Sequence, residues 1–375
     1  MAVDLARKNL LHDKLRFFIT VMGVAFAVTL VFVQVGLFLG LLRNATTVIE
    51  HMSADLWVTS KNTPNVDFAH TFPESYVQRV KSVPGVEKAE NLILTFAQIS
   101  LPTGAQESVQ IYCMKNFTDW NLPWNYQGNI ENLRRGPYFM LDSSAVKRFG
   151  PFQVGDYREV IDNRMQIIGR TKEAVSFTTT PLAFIDYDRM QALSPALLRN
   201  RTSYIVVKVA PGADIETVRR EIQSRMPYND VWTKQEWADR SRSYWVVNTG
   251  LGLNMVLTVF LGVLVGVVVV AQTLYTSTME HLKEFGTVKA IGGSNGDIYK
   301  ILGEQAVISA IAGFAVGTIM AFGMRPLMAK ADLHLIIPQQ FLAIVLVGTV
   351  VMCLAASMLS FKKIAGIDPA LVFRA

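Results

Sequence analysis

Residues Glu280 to Leu302 read EHLKEFGTVKAIGGSNGDIYKIL. This short charged interval lies between two long apolar runs, and its reading decides how the chain is organised. Leu282, Phe285, Val288 and Ile291 recur every three residues, which predicts a helix, and Gly292-Gly293 ends it. Ser294 with Asp297 has the spacing of a helix N-cap and its capping-box partner, so a second helix starts there and enters the next apolar run. A helix–break–helix held at a membrane face acts as a lever. Something pushes it, or it pushes on something.

The flanking runs set the class. Only 18% of the 375 residues are charged and the mean hydropathy is +0.28. The apolar residues are gathered into four uncharged runs: Phe17–Leu42, Ser243–Met279, Gln305–Met324 and, on either side of His334, Leu333–Phe361. Each reaches the roughly 18–20 residues that cross a hydrocarbon core of ~30 Å. Four transmembrane helices follow. The net charge of +6 is a topology signal rather than a nucleic-acid footprint, because the basic residues sit at helix ends. Arg7, Lys8, Lys14 and Arg16 precede helix 1, Lys283, Lys289 and Lys300 lie between helices 2 and 3, and Lys362, Lys363 and Arg374 follow helix 4. The short loop on the other side carries Arg325 and Lys330. The positive-inside rule therefore places both termini and the lever in the cytoplasm and residues 44–242 outside, with anionic lipid as the ordinary partner of the basic ends. The first run is too long for a cleavable signal and reads as an anchor. Cys113 and Cys353 fall in different compartments and do not pair.

The predicted organisation in chain order is an amphipathic cytoplasmic helix at 1–16, helix 1 at 17–43 and an α+β domain at 44–242. Helix 2 with an outer stalk follows at 243–279, then the coupling segment at 280–304 and helix 3 at 305–324. A short outer loop at 325–337, helix 4 at 338–361 and a tail at 362–375 complete it. The fold class is an α-helical membrane protein with four spans and an α+β extracytoplasmic domain between helices 1 and 2. Helix 2 is overlong: as one helix, Ser243–Met279 would measure about 55 Å, which predicts a rigid stalk continuous with the charged segment Lys234–Arg242. Gly36/Gly40, Gly262/Gly266 and Gly313/Gly317 are small residues four apart, suited to close helix packing within the unit or at a dimer seam. No acidic, basic or histidine side chain falls in an apolar core, which argues against an ion-driven carrier. Gln34, Asn254 and Gln272 are read as interhelical hydrogen-bond formers, with substrate contact the alternative.

In the inserted domain, Ala54–Ser60, a helix at Pro73–Ser82 and strand sequence at Val86–Leu101 form one unit. Ser203–Val209, a helix at Asp214–Met226 and Asp230–Thr233 form a similar one. Together they predict one α+β subdomain built from both ends of the segment, with an insertion carrying strands at Ser108–Met114, Arg158–Ile168 and Leu182–Asp186. There is no Walker A sequence, no G-x-S-x-G and no metal-ligand spacing among the five histidines and two cysteines. The chain reads as non-catalytic, without cofactor or metal. Trp120, Trp124 and Tyr126 in DWNLPWNYQGN are the candidate contact for cargo or a partner if exposed; a loop packing its aromatics on its own domain is the alternative. Asp186-Tyr187-Asp188 is either an acidic site or a solvated turn.

Glu284-Phe285-Gly286-Thr287-Val288-Lys289-Ala290-Ile291-Gly292-Gly293-Ser294 resembles the E-[IF]-G-x-[LVM]-[KR]-A-[IL]-G-[AG]-[ST] signature of the MacB/FtsX-like permeases of ATP-binding-cassette (ABC) systems, the type VII superfamily. Ile367-Asp368-Pro369-Ala370 is similar to the I-D-P-[AV] tail of that family, and Ala54-Asp55-Leu56 and Val83-Pro84-Gly85-Val86 resemble its outside domain. The chain departs from the pattern at Leu371–Arg374, where E-A-L-R is common, and at Asn295-Gly296-Asp297, which replaces a basic pair. The resemblance implies a permease dimer in a bacterial inner membrane, bound to cytoplasmic ATPase subunits on separate chains that hold the ATP. It implies that Glu284, Phe285, Gly286, Val288, Lys289, Ala290, Ile291, Gly292 and Ser294 form the element coupled to the ATPase. Motion would pass to the outside domain, for export of a lipid-like or hydrophobic cargo with a periplasmic adaptor and outer-membrane duct, as in the DevC-like branch. The alternative is an FtsX-like signalling subunit that controls an outside partner without transport.

Overall fold

The computed structural model describes residues 12–178, 180–281, 284, 287, 293–331 and 333–364. The chain forms two compact units, Leu41–Gly252 and the union of Met1–Gly40 with Leu253–Ala375. Four helices long and apolar enough to cross a membrane flank an α+β domain inserted after the first of them. That first helix, α1 (Lys14–Asn44), has no proline, and every backbone polar group inside a bilayer must be satisfied within the helix itself.

The inserted domain is built on a ten-stranded sheet. Its outer part comprises β1 (Leu56–Ser60), the short β2 (Phe72–Pro73), helix α2 (Tyr76–Lys81) and the long β3 (Val86–Ser100). The middle contributes β4 (Gln106–Met114), β5 (Tyr126–Gly128), β6 (Tyr138–Asp142), β7 (Tyr157–Val160), β8 (Asn163–Thr171) and β9 (Leu182–Asp186), followed by helix α3 (Tyr187–Leu193). The chain then returns through β10 (Arg201–Thr202), β11 (Tyr204–Val209), helix α4 (Ile215–Arg225), β12 (Asn229–Thr233) and helix α5 (Lys234–Ser243).

The ten-stranded sheet runs β12-β1-β11-β3-β4-β9-β6-β8-β5, with β7 pairing β3 and β8 off this path and β2 pairing β10 in a separate two-stranded sheet, and this order explains the duplicated pattern. β11 lies between β1 and β3, so the two β-α-β units interlock as a split β-α-β arrangement. Side chains alternate across the sheet. Leu56, Val58, Ile205 and Val207 pack with Val80 and Ile222 of α2 and α4 on one face, while Trp57 and Val206 join Leu92 and Trp237 on the other. The middle section is not a separate layer. The first half of β3 pairs with β11 and its second half with β4, so one strand carries the sheet from the outer part into the middle. The run Arg158–Ile168 divides into β7 and β8 because Ile161 and Asp162 both take positive φ, 49° and 58°, the geometry of a two-residue hairpin turn. Two helix starts are chemically sealed: Asp214 accepts from Thr217 N at 2.9 Å ahead of α4, and Thr233 and Glu236 form a capping box on α5.

The expected continuous stalk is corrected by the structure. α5 ends at Ser243, Tyr244–Asn248 are wound more loosely with a π-type turn, and Gly250 takes φ +72° before α6 (Leu251–Glu280) begins. Glycine reaches that left-handed conformation without the Cβ penalty, and it interrupts the rod. α7 (Asn295–Ala329) starts at the Ser294–Asp297 capping box, as the spacing predicts, and α8 (Gln339–Ile364) completes the unit. α1 holds the membrane unit together: its Val24, Val28 and Phe32 pack with Val270 and Leu274 of α6, Ala306 and Ala310 of α7 and Met352 of α8. Phe32 meets Phe314 and Phe341 edge-on, with centroids 6.0 and 5.7 Å away. Between α7 and α8, residues 333–338 are extended, bury Leu335 and Ile337, and bond back to α1 through Ile336 N to Gly36 O at 3.1 Å.

Candidate coupling site

The segment that carries the signature follows the end of α6, at Glu280. Glu280 accepts a hydrogen bond from Arg16 at 2.8 Å and sits 2.7 Å from it as an ion pair, while Asp13 holds the same guanidinium at 3.1 Å. The pair therefore ties the start of α1 to the end of α6. Beside it, Thr20 bonds back to Arg16 O at 2.9 Å, and Gln305 and Ser309 of α7 are buried. Thr20, Gln305 and Ser309 share a small polar cavity with Arg16, Thr273 and Ser277. Three helices thus meet through polar groups at one end of an otherwise apolar bundle. Further along, His281 lies 2.9 Å from Glu284, and Ser294 exchanges bonds with Asp297, N to Oδ2 at 2.9 Å and Asp297 N to Oγ at 3.2 Å. Of the coupling residues, Glu284 and Ser294 are placed in this way; Phe285, Gly286, Val288, Lys289, Ala290, Ile291 and Gly292 lie outside the described residues.

The glycine pairs serve two geometries. A Cβ on Gly313 would lie 2.5 Å from Val24, and one on Gly317 2.7 Å from Ala25 O and 2.8 Å from Val28, so α7 approaches α1 at backbone distance. Thr29 Oγ1 donates to Gly317 O at 3.1 Å across the same contact. Gly262 faces Leu30 of α1, and Gly266 faces Ala27 and Met352. The atoms nearest Gly36 and Gly40 belong to no helix. Their space is taken by the extended segment, Leu335 against Gly36 and the His334 carbonyl against Gly40. Asn254 bonds within its own helix, to Thr258 at 3.2 Å.

Of the two readings of the aromatic cluster, packing on its own domain holds for the two tryptophans. Trp120 is 1% and Trp124 5% exposed, both in the main core, because the indole N–H of Trp120 donates to Glu90 at 2.8 Å and Trp124 stacks on His51 at 4.3 Å. Tyr126 alone of the three is exposed. The Asp186–Asp188 turn is a helix start: Asp186 accepts from the amides of Asp188 and Arg189, and Asp188 pairs with Lys115 at 2.7 Å.

A family model of the MacB-like periplasmic core domain matches residues 17–225, and one of the FtsX-like permease C-terminal region matches residues 256–369. The chain belongs to the MacB/FtsX-like ABC transporter permeases. An uncharacterized ABC transporter permease of Mycobacterium tuberculosis is 25% identical over 353 residues, 94% of this chain and 93% of that protein. One from Methanocaldococcus jannaschii is 26% identical over 187 residues, 45% of this chain and 44% of its own length. Among solved structures, the extracellular domain of the transporter YknZ from Gram-positive bacteria aligns with a TM-score of 0.36 at 14% identity, over 48% of this chain and 98% of that one. The periplasmic region of MacB from Actinobacillus actinomycetemcomitans aligns at 0.39 and 10%, over 50% and 92%.

This ABC transporter permease is a multi-pass membrane protein, and its class implies a cytoplasmic ATPase partner. Its polar end contains residues that the sequence did not single out as a site. Arg16 was legible only as a basic flank and Glu280 only as the edge of a run; their pairing spans 264 positions and has no local signature. In the inserted domain, burial raises the carboxyl pKa of Asp67, which Gln110 Nε2 contacts at 2.9 Å. Burial also raises that of Asp142, against hydrogen bonds from Ser144, Thr171 and Ala174. These are structural carboxylates inside a core, and among the described residues no group of His, Cys, Asp and Glu has the arrangement of a metal site.

Proposed function

We propose that this chain is the non-catalytic permease subunit of an ATP-driven exporter, and that it carries ATPase motion to its inserted domain. The observation that supports this best is the Arg16–Glu280 tie beside the signature segment. A push on residues 281–294 enters α6 at Glu280, α7 at the Ser294 cap and α1 through Arg16, and α1 leads directly into the inserted domain. In this reading ATP is bound and hydrolysed on a separate chain, two permease copies form the dimer, and both termini and the lever face the cytoplasm of a bacterial inner membrane. The cargo is lipid-like or hydrophobic and is handed to a periplasmic adaptor and an outer-membrane duct. The experiment is co-purification with its cognate ABC ATPase subunit, reconstituted in lipid. The complex should form and show stimulated ATP turnover, with Gly292→Pro and Lys289→Glu abolishing the stimulation while the protein still inserts. Absence of binding, or unchanged stimulation in both variants, refutes the reading. Identification of the inserted domain's partner separates its two forms: an adaptor supports export, a cell-wall hydrolase supports control without transport.

A further inference from the structure

The loop of residues 61–71, between β1 and β2, is held to the rest of the inserted domain by its own backbone. Val66 N donates to Ser241 Oγ of α5 at 3.2 Å, and Tyr204 Oη donates to Val66 O at 2.8 Å. Asn65 Oδ1 accepts from Phe68 N at 3.0 Å, which sets the turn at the tip. The carboxyl of the neighbouring Asp67 is buried and meets Gln110 Nε2 at 2.9 Å. The loop therefore presents the ring of Phe68, 44% exposed, while it turns the adjacent charge inward. A single exposed apolar side chain is ordinary on a protein surface, so the position of this one is what matters.

Phe68 lies where the chain leaves and re-enters the membrane. Its ring centroid is 5.7 Å from that of Tyr244 and 5.9 Å from that of Trp245. Trp245 stacks on Phe177 at 3.9 Å, and this pair packs with Leu41 and Leu42 near the end of α1 and with Leu251, the first residue of α6. These contacts fix the level of the bilayer. Leu42 is the last residue of the uncharged run in α1, with Arg43 next, and Leu251 opens a helix long and apolar enough to span. A bilayer of about 40–45 Å with a hydrocarbon core of ~30 Å has roughly 5–8 Å of headgroup layer on each side. A ring in contact with Trp245, which itself packs with Leu41, Leu42 and Leu251, falls within reach of that layer. Val247, between Trp245 and Leu251 in the chain, is 71% exposed.

We propose that Phe68 and Val247 form a lipid-contact surface by which the inserted domain is seated in the headgroup layer of the leaflet on its own side. The occupant is the bilayer because the surface adjoins the ends of two spans, at the depth where aromatic and apolar side chains of a polar body enter the boundary between headgroups and acyl chains. Phe68 gives the domain a hold on the leaflet that is distinct from its two chain connections. Such a hold opposes tilting of the domain on the membrane. The inference depends on the multi-pass placement of the chain and is independent of ATPase coupling and of export.

The test uses the full chain in phosphatidylcholine nanodiscs. Both native cysteines are buried, so Phe68→Cys and Val247→Cys each supply one accessible thiol for an environment-sensitive dye. Lipid carrying a nitroxide near the headgroup end of its acyl chain should quench each dye at least about twofold more than lipid carrying it near the methyl end. Iodide in the water should quench each at least about twofold less than it quenches the free dye. In the Val247→Cys chain, Phe68→Asp should lower the shallow quenching by about half and Phe68→Trp should preserve it. That pair decides the role of Phe68 if Phe68→Cys does not fold. Free access of iodide to a dye at position 68, no preference for the shallow nitroxide, or equal quenching at position 247 in the Asp and Trp variants overturns the proposal. So does self-quenching that excess unlabelled permease relieves, since the surface then faces a second copy of this chain.

Discussion

Asp67 shows how a single buried group sets a measurable property. It is 8% exposed, and burial raises its carboxyl pKa above the ordinary 3.8. A carboxyl whose folded pKa is raised contributes fully below the unfolded value, and that contribution is lost as pH rises through the folded value. Asp67→Asn keeps the oxygen that accepts from Gln110 and removes the charge. Thermal unfolding should therefore show a higher Tm for Asp67→Asn at about pH 8 and little difference at about pH 4. Gly313 makes the opposite case, a residue defined by what it lacks. Gly313→Leu forces side-chain atoms into Val24 and the Val21 carbonyl, so the membrane unit should lose about 1–3 kcal/mol, read as reduced resistance to denaturant in detergent. The aromatic loop teaches the same lesson about residues. Its composition is plain in the sequence, yet Trp120 is buried because Glu90, 30 positions earlier, accepts its indole N–H.

At the scale of elements, local chemistry was readable wherever it was self-contained. The Ser294–Asp297 box, the helix beginning at Asp214 and the strand Leu182–Asp186 all depend on neighbours within a few residues, and the structure has them where the sequence reading places them. Ser294→Ala should fray the start of α7, with faster amide exchange at residues 295–298 and a loss of about 1 kcal/mol. The stalk was misjudged because hydropathy registers composition and is blind to a single φ. Gly250 at +72° breaks the helix inside a run that is uncharged throughout. The Gly36/Gly40 pair was likewise legible as a close approach, but its partner, the extended segment at 333–338, was not. Gly40→Leu should displace that segment without unfolding α1, seen as proteolytic or labelling access at His334 while helicity stays unchanged.

For the molecule as a whole, the Arg16–Glu280 tie is the contact to test. Arg16→Glu or Glu280→Arg alone should lower ATPase stimulation in the reconstituted complex several-fold, and the charge-swapped double variant should recover most of it. Equal loss in the double variant and the singles would remove the ion pair from the coupling route. Because the pair is partly solvent-exposed, it contributes little to stability itself, so the readout is coupling and not Tm.

The sequence by itself determined the four spans, the domain inserted after the first, the strand and helix periods of that domain, and the signature segment that marks the family. These depend on windows of a few to about twenty residues, in which hydropathy, spacing and capping chemistry are complete. Only the tertiary structure decided which surface each glycine receives, that β3 joins two halves of one sheet, and that Arg16 reaches Glu280. Those facts depend on which distant elements meet. The charged interval between the second and third apolar runs is plain in the sequence; the contact between Glu280 at its edge and α1 exists only because folding brings residues 264 positions apart to within 2.8 Å.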